Sequence, residues 1–124
     1  MNGYEVKIGY SNKELTARER VKLKGTTNAV SLDEATEGSS LVISPCIWAV
    51  LEVHNEHNKD GNVDYIKYVI IDDAGTKYVT GSESFWTSFI EIATEMNGEQ
   101  FDIEVYKVDS KNYKGKQFIS CSIV

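Results

Sequence analysis

The sequence predicts a mainly β protein: five short strands in Greek-key order closed into a barrel, one helix between the third and fourth strands, and an N-terminal extension containing a further strand. Three observations carry that expectation. Short runs of apolar residues alternate with polar ones and are bounded by turn residues, as half-buried strands require. In one long window, Phe85 to Met96, the apolar spacing changes to that of a helix. The connections between these runs are short, so neighbours in sequence pair as neighbours in the sheet.

Tyr4, Val6, Ile8 and Tyr10 alternate with Glu5, Lys7 and Gly9, which reads as a strand. From Ser11 to Gly25 two readings stay open. Thr16 with Glu19 makes a capping box ahead of a short helix, while Val21 and Leu23 alternate with Lys22 and Lys24 as in a strand. Ser31 and Glu34 repeat the capping-box spacing before the polar Glu37-Gly38-Ser39-Ser40 connection. That connection divides a single domain into an extension, residues 1–40, and the main fold, residues 41–124.

Leu41 to His57 is one long extended stretch, with the chain's single proline, Pro45, near its start. Within it Ile47, Ala49, Leu51 and Val53 share one side, and Trp48, Val50, Glu52 and His54 the other. Asp60-Gly61 favours a hairpin, and Val69-Ile70-Ile71, the turn Asp73-Ala74-Gly75 and Lys77 to Thr80 form the next one. Ser82 or Ser84 caps the following helix, and Gly98 sits where a left-handed residue would end it. Phe101, Ile103 and Val105, then Ile119, Cys121 and Ile123, complete the pattern as two strands around a polar Lys111-to-Gly115 turn. Five strands with a helix after the third is the order of the oligonucleotide/oligosaccharide-binding (OB) barrel.

With 124 residues, 41% of them hydrophobic, the chain supports one core. It contains no apolar run near the length of a membrane span and no leader-like N-terminus, which predicts a soluble, unprocessed cytoplasmic protein. Cys46 and Cys121 sit in apolar segments and read as buried thiols. The formal charge of −6 argues against nucleic acid at first sight, but nine of the thirteen cations fall in two segments, Lys13 to Lys24 and Lys107 to Lys116.

The run LEVHNE, the segment YVIIDDAGTKYVTGSESFWTSFIEI and the ending SKNYKGKQFISCSIV resemble single-stranded DNA-binding proteins of tailed bacteriophages. In that family a strand ending in a DG-Y-T-S pattern leads into an SFxxSF helix, and the last hairpin carries SKN-G-x-F-x-T-C. Here the helix reads Ser82 to Phe89, and Ser120 stands where the family has threonine. The likeness covers Leu51 to Val124. It implies a sequence-independent binder of single-stranded DNA in phage replication or recombination, acting in the host cytoplasm beside replication proteins and open to self-association.

Such binding needs aromatic faces for bases and cations for phosphates. Tyr65 with Lys67, Lys77 with Tyr78, and Tyr106 with Lys107 leading to Lys111, Tyr113, Lys114 and Lys116 interleave the two types. Trp48 reads either as a core residue or as a further stacking platform. His54 and His57 lack further ligands at metal spacing, and Asp72-Asp73 beside Ala74-Gly75 reads as turn chemistry. Neither a phosphate-cradling glycine loop nor a nucleophile with a placed base is present, so no enzyme activity, metal or cofactor is expected. The competing class is an acidic interaction or DNA-mimicking module that binds a host protein.

Overall fold

The computed structural model describes residues 3–25, 28–57, 61, 63–110 and 115–124. Within these the protein is mainly β, as expected, with eight strands and three helices. In order they are β1 (Tyr4–Ser11), α1 (Ala17–Lys24), β2 (Val30–Ser31), α2 (Leu32–Ala35), β3 (Leu41–Ile43), β4 (Pro45–Asn55), β5 (Asp64–Asp72), β6 (Lys77–Thr80), α3 (Glu83–Met96), β7 (Ile103–Asp109) and β8 (Gln117–Ile123).

The strands form a five-stranded sheet, β1-β4-β5-β6-β2, and a three-stranded sheet, β3-β7-β8. The long extended stretch read from the sequence belongs to both, because it changes sheet at Ser44. There the Ser44 hydroxyl donates to Asp102 Oδ1 at 2.6 Å and its carbonyl accepts from Asp73 N–H at 3.1 Å, tying the switch point to the ends of β7 and β5.

The closed five-stranded barrel does not form. Its closure would join β6 to β8, and the two are not hydrogen-bonded neighbours. Instead β2 pairs in parallel with β6, placing Val30 beside Tyr78 and Ser31 beside Val79. The Thr80 hydroxyl donates to Asp33 of α2 at 3.1 Å. On the other side α3 packs along β8, where Ser84 Oγ donates to Ile119 O at 3.1 Å. The seam is thus filled by the N-terminal segment and a helix rather than by a ladder.

The ambiguity at Ser11 to Gly25 resolves to helix because the cap is complete. Thr16 Oγ1 accepts from Glu19 N–H at 3.2 Å, and Glu19 Oε1 accepts from Thr16 N–H at 2.9 Å. Helix α3 starts on Ser82, whose hydroxyl accepts from Phe85 N–H at 3.2 Å, and ends on Asn97 at φ 47° with Gly98 following at φ 90°. The left-handed stop is therefore one residue earlier than the glycine suggests. In β4 a bulge falls between Pro45 and Ile47, and Asn12 spans it: its Nδ2 donates to Cys46 O and its Oδ1 accepts from Trp48 N–H at 2.9 Å. This bulge turns Cys46 outward, so only Cys121 is a buried thiol.

A core lies on each face of the five-stranded sheet, where the sequence suggests one. On one face Ile70 of β5 meets Leu32, Ile43, Phe85, Phe89, Phe101, Ile103, Val105, Ile119 and Cys121 between the two sheets and α3. On the opposite face Ile47, Ala49, Leu51, Val53, Val69 and Ile71 are covered by Leu23 of α1 with Leu15, Tyr4, Val6 and Ile8 around them.

Candidate nucleic-acid interface

The cross-strand register decides where each candidate side chain falls. Tyr65 pairs with Val53 and Lys67 with Leu51, while Lys77 pairs with Ile71. Since paired residues share a face, all three belong to the face that α1 covers rather than to a side turned away from the core. Tyr65 packs against that core and stays half-exposed.

Lys77 is half-buried and reaches across to the end of α1, where its ammonium donates to Lys22 O at 2.7 Å and to Gly25 O. A cation on those carbonyls satisfies groups the helix cannot pair itself and suits the negative end of its dipole. Burial, then the nearby charge of Lys67, holds the Lys77 ammonium below its ordinary pKa. Arg18, Arg20, Lys22 and Lys24 project from α1 and are exposed. Among the described residues, none of these six cations forms an ion pair; α1's one acid, Glu19, is taken by Lys13 at 2.9 Å. Between α1 and the β5–β6 turn lies an open cleft of about 510 Å³ bordered by Lys22, Gly25, Thr76 and Lys77.

The other candidates do not join this group. Trp48 packs edge-on against Phe89 (5.2 Å, 89°) and Phe101 (5.9 Å, 69°), with its indole nitrogen buried, which is the core alternative of the two readings. Tyr78 packs on the same core, its hydroxyl 3.4 Å from Asp72 Oδ2; burial, then the Asp72 charge, raises its pKa. Tyr106 pairs with Ser120 on β8 and its hydroxyl meets Ser122 Oγ at 2.5 Å. Lys107 and Lys116 lie toward the tip of the β7–β8 hairpin, in the other sheet. Lys111, Tyr113 and Lys114 lie outside the described residues. The tyrosines and cations are therefore spread over several surfaces; Lys67 and Lys77 fall with the cations of α1, and Tyr65 shares their face of the sheet toward the other end of β5.

One aromatic group was not read from the sequence. Tyr10, Val50, Tyr68 and Thr80 form a row across β1, β4, β5 and β6 on the face opposite α1. Tyr68 lies flat on Trp86 of α3 at 4.8 Å and 13°. Burial, then the charge of Glu83, raises the Tyr68 pKa. The row is invisible in sequence because it depends on the register of three strand pairs. Further along this face, Glu5, Glu52, His54 and Asp64 line a cleft of about 620 Å³.

Asp72 does the turn chemistry expected of it, its Oδ1 accepting from Ala74 N–H at 3.0 Å and Thr76 N–H at 2.8 Å. Among the described residues no three His, Cys, Asp or Glu side chains gather as metal ligands, and no helix is long and apolar enough to cross a membrane. Comparison with protein-family models, curated proteins and solved structures gives no match.

Proposed function

We propose that this protein binds single-stranded DNA without sequence preference, on the face of the sheet that α1 covers, which carries six cations and, further along β5, Tyr65. The observation that carries the reading is electrostatic. In a chain of net charge −6, Arg18, Arg20, Lys22, Lys24, Lys67 and Lys77 lie on one side with no ion-pair partner among the described residues. Unpaired cations on one surface attract a polyanion, and the half-exposed Tyr65 on the same face supplies a stacking surface.

The strand order supports the same reading. β3 with β4, then β5, β6, α3, β7 and β8, follow the order of an OB barrel held open between β6 and β8. In that fold ligands lie on strands two and three and under the loops after strands one and four. Here those correspond to β5 and β6 and to the connections 56–63 and 110–116, the second of which carries Lys111, Tyr113, Lys114 and Lys116. The likeness of LEVHNE, the β5-to-α3 segment and the last hairpin to phage proteins favours a non-catalytic role in DNA replication or recombination in the host cytoplasm. A second reading, an acidic module docking on a host protein, rests on the cleft where Glu5, Glu52 and Asp64 gather, with Lys7, His54 and Tyr65 also lining it.

Titration with labelled oligo-dT over a range of salt tests the proposal. If each of the six cations meets one phosphate, affinity falls with a log–log slope of roughly −4. Replacing Arg18, Arg20, Lys22 and Lys24 by alanine should cut that slope by about two thirds, since four of the six contacts are lost. No binding at low salt would overturn the reading, and an unchanged slope in the variant would move the interface elsewhere.

A further inference from the structure

We propose that two copies of this chain associate through β1, edge to edge and antiparallel, about a two-fold axis at Val6. The five-stranded sheet ends on β1, which pairs with β4 alone. Glu56 N–H donates to Gly3 O at 2.6 Å, which fixes the phase of that ladder: Gly3, Glu5 and Lys7 turn their backbone groups toward β4. Tyr4, Val6 and Ile8 therefore turn theirs outward. Among the described residues those outward groups have no partner. Such an edge is a template for another strand unless it is blunted. Here the ladder runs unbroken from Tyr4 to Ile8, and the bulge comes only after it, at Gly9.

The phase and the charges together select one register. Two β1 edges can pair antiparallel only where outward groups face outward groups, so allowed registers differ by steps of two residues. Centred on Val6, the pairing sets Tyr4 against the partner's Ile8 and Val6 against the partner's Val6, each pair exchanging two hydrogen bonds. The same register sets Glu5 against the partner's Lys7 and Lys7 against the partner's Glu5. The next registers on either side oppose Glu5 to Glu5 or Lys7 to Lys7. Both side chains are exposed, 63% for Glu5 and 70% for Lys7, and pair with each other at 3.9 Å within one chain, a long surface contact that the register would exchange for two between copies. On the other face the half-buried Tyr4, Val6 and Ile8 would continue one apolar core into the next. An isologous contact of this kind closes on itself as a dimer.

The test is a charge swap read by sedimentation velocity across a dilution series of the full chain. The wild type should dimerise, E5K should raise the dimer dissociation constant by about tenfold or more because it opposes like charges twice, and E5K/K7E should restore it. Amide exchange on the wild type gives a readout that needs no variant: the N–H groups of Tyr4, Val6 and Ile8 should be protected at high protein concentration and exposed on dilution. A wild type that stays monomeric overturns the proposal, as does a dimer indifferent to E5K or one in which those three amides exchange freely. The outcome is independent of DNA binding.

Discussion

The Lys77 ammonium of β6 donates to the Lys22 carbonyl of α1 at 2.7 Å, joining residues far apart in sequence across the covered face of the sheet. Helix α1 buries only Leu23, so its apolar attachment is slight and this polar tie matters more than usual. K77M should lower stability by about 1–3 kcal/mol, the range for losing a charge-assisted hydrogen bond. Urea unfolding gives the figure, and faster proteolysis within α1 should accompany it. Unchanged stability would mean that α1 is held by other contacts.

The two thiols should differ in reactivity. Cys46 is exposed on its bulge, whereas burial pushes the Cys121 thiol up to about 12. A disulfide reagent at neutral pH should modify one cysteine per folded chain at once and the second only after denaturant is added. C46S should abolish the fast phase.

Phe89 touches Trp48, Phe85, Trp86 and Phe101 and is fully buried. F89A should therefore cost about 3–5 kcal/mol in denaturant unfolding. W86A should cost less, because Trp86 keeps part of its surface in solvent. A Tyr68/Trp86 double-mutant cycle should give a coupling of about 0.5–1.5 kcal/mol from their stacked rings. Additive single effects would show that the stack contributes only area.

His54 Nδ1 lies 2.7 Å from Asp64 Oδ1, with Glu56 3.5 Å from its other nitrogen. The Asp64 hydrogen bond is the main cause that raises the His54 pKa above its ordinary 6.5. A proton held more tightly in the folded state adds stability that is fully present below pH 6.5 and lost as pH rises through the folded value. Thermal midpoints should fall modestly from about pH 6 to about pH 8, and D64N should flatten the change. An identical slope in D64N would assign the effect to another group.

Local signals in the sequence were reliable where the chemistry is local. Thr16 with Glu19, Ser82 before Phe85, and Asp72 in its turn do what their spacing suggests, because each needs only neighbours to act, and Ser31 caps Glu34 N–H without the return bond of a full capping box. The core side of β4 was legible from alternation alone. What escaped depends on distant partners. Tyr65 and Lys67 alternate as if turned to solvent, yet α1 supplies an apolar cover there from residues whose helical state was ambiguous. The open seam depends on Val30 and Ser31 finding β6, which nothing local announces. Cys46 is outside because a bulge shifts it, and Asn12, just past the end of β1, completes that bulge. The Tyr10–Tyr68 row needed a register that no single strand contains.

The sheet has a core on each side, and the cover over the second, Leu23 of α1 with Leu15 and Tyr4, Val6 and Ile8 of β1, comes from residues that precede Ser44. A fragment begun at Leu41 would carry every strand of the expected barrel and still expose an oily stripe of Ile47, Ala49, Leu51, Val53, Val69 and Ile71 to water. Such a fragment would clump rather than fold, so the first forty residues are structural masonry and not a detachable tail.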